Sequence, residues 1–132
     1  MNKIICRRLC RGQDLLLEIK RIAKEEHLQG AVVLSAVGCI SQGRLRDASG
    51  VNIREIKDHC EIVSMTGTVS EARCHLHIAL SKEDLSTIGG HLVPGCAVNT
   101  TCELVLMETG FTYDVEFDPE TGYDEIIFKE SL

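Results

Sequence analysis

The chain has 132 residues, 44% of them hydrophobic and 26% charged, the proportions of an ordinary globular domain long enough to build one core of its own. Its net charge is -6 and its pI is near 5.3, a balance that argues against nucleic-acid binding driven by phosphate contacts alone. No run reaches the roughly 18 consecutive apolar residues of a membrane span. The opening "MNKIICRRLCRGQD" lacks the apolar stretch and cleavage site of a signal peptide, so a cytoplasmic location is expected.

Residues 2–9 are β-prone and predict a first strand. "RGQD" is a turn, and Asp14 stands where it can cap the next helix, predicted from Leu15 to about His27. Leu15, Leu16, Ile19, Ile22 and Ala23 recur on one helical face, and Arg21 can pair with Glu25 on the other. The apolar "GAVVLSAVGCI" (30–40) predicts a strand covered on both faces, with Gly38 marking a bulge or a close backbone approach. Residues 42–48 predict a separate strand after a turn, and "IREIKD" a short one. Residues 60–70 and 72–81 alternate, which predicts a hairpin turning near Ser70–Glu71.

The stretch "KEDLSTIGGHLVPGCAV" predicts an irregular loop, because Gly89, Gly90, Pro94 and Gly95 interrupt it. Residues 98–109 predict another strand, and "DPETG" a turn between two short strand-like pieces of the tail. Together these elements predict an α+β fold: a mainly antiparallel β-sheet of about seven strands with one principal α-helix, in a single domain over residues 1–132.

The seven cysteines, at 6, 10, 39, 60, 74, 96 and 102, form no C-x-x-C pair and read as reduced, mostly buried small hydrophobes. The basic clusters Arg7-Arg8-Arg11 and Arg44/Arg46 read as solvated charges near strand ends.

The histidines are more informative. Of five, three fall at 75, 77 and 91. Side chains two apart on a strand share a face, so His75 and His77 point the same way, and His91 arrives behind Gly89-Gly90. Glycines allow a close backbone approach or a positive φ. Three neutral imidazoles suit zinc and leave a coordination position open for water or a small ligand. Polar residues on the wet face of a strand would give the same pattern, and this alternative stays open. A bound metal could be structural or regulatory, or it could activate water in a hydrolase. For the second role Glu61 is the candidate general base, since it begins the strand paired with the His-x-His strand. A surface carboxylate, or one that orients an imidazole, fits Glu61 equally.

The segments "VVLSAVGCISQGRLRD", "EIVSMTGTVSEARCHLHIALS" and "GGHLVPGCAVNTTCELVL" resemble the PPC domain (plants and prokaryotes conserved). The resemblance rests on an ordered set: Gly38, Glu61-Ile62, Gly67, His75-x-His77, Gly89-Gly90-His91, Gly95 and Glu103. It implies a mainly antiparallel sheet with one helix, a homotrimer, and a metal, zinc first, at His75, His77 and His91. Plant members follow an AT-hook that binds A·T-rich DNA, and stand-alone prokaryotic members are commonly labelled DNA-binding by that association. This chain has no Arg-Gly-Arg-Pro segment, and the plant hallmark Gly-Arg-Phe-Glu-Ile-Leu appears here as "DHCEIV".

Overall fold

A computed structural model describes residues 3–130. In chain order the elements are β1 (Ile4–Cys10), α1 (Leu15–Glu25), β2 (Ala31–Arg46), β3 (Ile53–Ile56), β4 (Cys60–Val69), β5 (Cys74–Ser81), β6 (Thr87–Leu92), β7 (Ala97–Glu108), β8 (Phe111–Asp118) and β9 (Tyr123–Glu130). The α+β class expected from the sequence is the one observed. Seven strands form one sheet in the order β1-β7-β2-β4-β5-β6, with β3 on β2, and β8 and β9 pair as a separate hairpin. Of the predicted first strand, Asn2 lies outside the described residues.

The helix forms where its periodicity places it. Asp14 Oδ1 accepts a hydrogen bond from the Leu17 N–H (3.0 Å), which satisfies one of the unpaired donors of the first turn and contributes about 1 kcal/mol. Its Oδ2 accepts from the Gly95 N–H (2.7 Å), so the same carboxylate ties the helix start to the segment after β6. Leu15, Leu16, Ile19, Ile22 and Ala23 are buried, and Arg21 pairs with Glu25 on the outside. The chain leaves the helix at His27, whose φ is +53°.

Two parts of the strand pattern differ from expectation. Residues 31–46 are one strand of 16 residues, not two strands and a turn. Its pairing with β7 shifts register at Val33/Ser35, Gly38/Cys39 and Ile40/Gln42. Each bulge slips the two-residue period and bends the strand without ending it, so periodicity alone reads a break. Gly38 is one pivot: a Cβ there would lie 2.2 Å from the Thr101 carbonyl oxygen.

The predicted loop after β5 contains β6. Gly89 and Gly90 are extended rather than turned, and they serve close approach. A Cβ on Gly89 would lie 2.6 Å from the Ile78 oxygen, and one on Gly90 2.8 Å from the Arg46 oxygen. β6 is thus pressed between β5 and the far end of β2, which it pairs with through Leu45 and Arg46. That contact closes β2, β4, β5 and β6 into a small barrel.

The core is one cluster. It holds the helix face together with Ile40, Leu45, Ile62, Met65, Leu76, Ile78, Leu80, Leu92, Leu104 and Leu106. Truncating a fully buried member such as Leu80 to alanine would cost about 2–5 kcal/mol. All seven cysteines are free; Cys60, Cys96 and Cys102 are buried, whereas Cys6 and Cys10 are exposed. Burial pushes the Cys102 thiol up to about 11. The β8–β9 hairpin turns at "DPETG", where the Gly122 N–H donates to the Asp118 carbonyl (2.8 Å). Among the described residues, no helix is long and apolar enough to cross a membrane.

Candidate metal centre

The barrel closure assembles the histidines. On β5, Leu76, Ile78 and Leu80 turn into the core, which leaves His75 and His77 on the outer face. The pairing of β5 with β6 sets His77 directly opposite His91, and His91 in turn lies opposite Arg46 of β2. The three imidazole centroids are 5.2, 5.3 and 5.5 Å apart. One ring nitrogen from each lies within 4.8 Å of the other two, and among the described residues no carboxylate or thiolate joins this group.

The electrostatics favour the neutral form of two of the rings, His91 and His75. Burial, with Arg46 and the other two imidazoles next, lowers His91 to about 4. His75 is also lowered, by burial first and then by Arg73. Neutral imidazole is the form that ligates a metal. Nδ1 of His91 is buried with no hydrogen-bond partner, an orphaned ring nitrogen of the kind a missing ligand leaves. Nitrogens on a tetrahedral zinc lie about 3.3 Å apart, given Zn–N distances near 2 Å. The three rings would therefore have to draw together by no more than about 1.5 Å, within reach of side-chain rotation. A set of three nitrogen donors fits zinc, and zinc bound there would supply a Lewis-acidic site with an open position.

Glu61 is not brought to this centre. Its register partner is Ser81, four residues beyond His77 and so about 13 Å along the strand. Opposite His77 and His75 on β4 stand Thr66 and Thr68.

Two arginines do reach the centre. Arg73 Nη2 donates to His75 Nδ1 (3.1 Å), and Nη1 donates to the Asp124 carbonyl oxygen of β9 (2.9 Å). Arg46 flanks His91 from the other side. A cavity of about 590 Å³ opens beside the cluster, between the barrel and the β8–β9 hairpin, with Arg46, Arg73, His75, His91, Tyr123 and Glu125 in its lining. Arg73 was within reach of sequence reasoning: "RCHLH" places Arg73, His75 and His77 two apart on one face. Arg46 was not, because it arrives through the β2–β6 pairing and sits 45 residues before its neighbour His91.

An antiparallel α+β domain with a closed barrel and a three-imidazole outer face is the class these features define. The model of the Plants and Prokaryotes Conserved (PCC) domain matches residues 1–110, and the chain belongs to this family. It is 40% identical over 120 residues, 90% of its length, to the bifunctional protein GlmU of Synechococcus sp. (strain JA-3-3Ab). It spans about a fifth of the length of such curated relatives. Among solved structures, a hypothetical protein from Salmonella cholerae-suis superposes with a TM-score of 0.95 at 28% identity, over 100% of this chain and 96% of that one. A metal-containing protein from Archaeoglobus fulgidus superposes with a TM-score of 0.77, also at 28% identity, over 95% of this chain and 93% of that one.

Proposed function

We propose that the chain is a homotrimeric binding or regulatory module that holds zinc on His75, His77 and His91. The observation that carries this reading is the convergence of three imidazoles, with a ring nitrogen of each within 4.8 Å of the others, on the outside of a closed barrel. The metal-containing relative from Archaeoglobus fulgidus supports it. For the assembly, an apolar strip of Leu34 and Val37 on β2 and Val63 on β4 lies exposed. The Gly38–Ile62 register sets Val37 beside Val63, so the two form one patch of the kind that another copy of a chain covers.

A metal-dependent hydrolase would use the same ligands and would need a carboxylate at the bound water. Glu61 does not meet that need at its distance. Glu125, which shares the cavity lining with His75, is the carboxylate better placed for it, and the module is kept as the first reading because the ligand group is three imidazoles alone among the described residues. DNA is not assigned as a ligand, since net charge of -6 opposes it. Elemental analysis of the purified protein beside the His75→Ala/His77→Ala double variant tests the metal. About one zinc per chain in the first and none in the second is expected, and equal contents would sink the reading. Sedimentation of both tells whether the metal also holds the assembly together.

A further inference from the structure

We infer that the cavity beside the three histidines is an oxyanion site, in which Arg46 and Arg73 take the phosphate or carboxylate group of a small molecule. The inference rests on the zinc reading for its third positive charge, while the two arginines define the site by themselves.

Pairing and burial together set these two arginines apart. Arg7, Arg21 and Arg54 each form an ion pair with a carboxylate. Arg46 and Arg73, like the exposed Arg8, Arg11 and Arg44, form none among the described residues, but these two are half-buried and line the cavity. Arg46 Nε is buried without any hydrogen-bond partner. Arg73 donates only to a backbone carbonyl and an uncharged ring nitrogen, so its charge is uncompensated too. A part-buried guanidinium without a counter-charge is costly and is normally found with one. Asp124 and Glu125 line the outer wall, yet neither carboxylate pairs with either arginine.

Geometry supplies the rest. Arg46 and Arg73 approach the His75/His91 pair from two sides, Arg46 through its pairing with His91 and Arg73 through its bond to His75. The cavity they line is about 590 Å³, within the range of small-molecule sites and far larger than a single ion needs. Planar guanidinium groups match the paired oxygens of carboxylate and phosphate. An oxygen of the same group can meet the open position of a metal held by the imidazoles.

Calorimetric titration of inorganic phosphate, and separately of malonate, into zinc-loaded and chelator-treated protein tests this. Saturable binding of at least one anion by the wild-type chain is expected. Arg46→Gln should weaken it about tenfold or more while elemental analysis shows zinc content unchanged. The stronger of the two anions identifies the oxyanion class. Arg73→Gln is a second variant, with the same loss expected, should Arg46→Gln fold poorly. If the wild-type chain holds no zinc but still binds anion in an arginine-dependent way, the metal reading falls and the oxyanion site stands. No binding up to about 10 mM of either anion, or binding untouched by both substitutions, overturns the site. So does an Arg46→Gln protein that binds anion normally but dissociates in sedimentation, because Arg46 would then serve a second copy of the chain.

Discussion

Gly89→Ala is the substitution that most directly links backbone to site. The added Cβ would lie 2.6 Å from the Ile78 carbonyl oxygen and 3.4 Å from the Ala79 Cα. Ordinary contact needs roughly 3.4 Å or more between such atoms, so β6 would have to move about 0.8 Å away from β5. Backbone atoms on β5 cannot swing aside as a side chain can. On the other flank, Gly90 already faces the Arg46 oxygen and Leu45 Cβ, which blocks retreat toward β2. The strain and the weakened ladder bonds together should cost about 2–3 kcal/mol. His91 rides on the same strand, directly opposite His77, and a metal constellation tolerates only about 0.5 Å of displacement. Zinc affinity should therefore fall by at least about tenfold. Urea unfolding of chelator-treated protein isolates the first effect, and competition with a chromogenic chelator measures the second. Thr87→Ala, at an exposed position on the same strand, should stay within about 0.5 kcal/mol of the parent. A Gly89→Ala protein with parental stability and zinc affinity would refute the view that barrel closure builds the site.

Three further outcomes are expected. Asp14→Ala removes acceptors for both Leu17 and Gly95, so it should cost about 1–3 kcal/mol in urea unfolding, more than a cap alone. For metal-free protein, His91 titrates near 4 when folded and near its ordinary 6.5 when unfolded. The unfolded chain then binds more protons between those values, so stability falls as pH drops from about 6.5 toward 4, by about 1–2 kcal/mol after solvent screening; His91→Gln should flatten that limb of the pH profile. Titration with an A·T-rich duplex at low and moderate salt should give no binding in either, and salt-sensitive binding at low salt would contradict the expectation, drawn from charge, that the chain does not bind DNA directly.

The helix was legible because its signals agree. The cap at Asp14, the face from Leu15 to Ala23 and the Arg21–Glu25 pair all point to one element. The hairpin of β4 and β5 was legible from its β-prone strands and a turn at Ser70, but a bulge between Ile62 and Ser64 breaks the alternation of β4 and buries both Ile62 and Met65, which strict alternation assigns to opposite faces. What escaped was the closure. β2 carries three register shifts that break its period, and β6 is built around two glycines that local propensity assigns to a loop. Tertiary pairing overrides both signals. The pairing of β2 with β6 is also what brings Arg46 to His91, so the error in the fold and the omission in the site share one cause. Glu61 shows the converse limit. Knowing that its strand pairs with β5 did not fix where along that strand it falls, and register decides distance at about 3.3 Å per residue.

The bond between Arg73 and His75 ties the two halves of the site together. Arginine only donates, so where Nη2 meets His75 Nδ1 that nitrogen offers its lone pair, and the proton of the neutral ring sits on Nε2. The same ring cannot accept from Arg73 on Nδ1 and ligate a metal through Nε2, because ligation needs a second free lone pair. Metal binding through either nitrogen therefore ends this hydrogen bond and leaves Nη2 without an acceptor, while Nη1 stays fixed to the Asp124 carbonyl. The freed donor remains at the cavity wall, where an oxyanion can take it. Equally, an oxyanion that draws Nη2 away from His75 frees the ring for ligation. Each event removes the obstacle to the other, and such coupling is reciprocal by thermodynamic necessity. On the proposed reading, metal and anion sites linked through one shared arginine would let the module report the presence of one ligand as a changed affinity for the other, which is what a regulatory role would require physically.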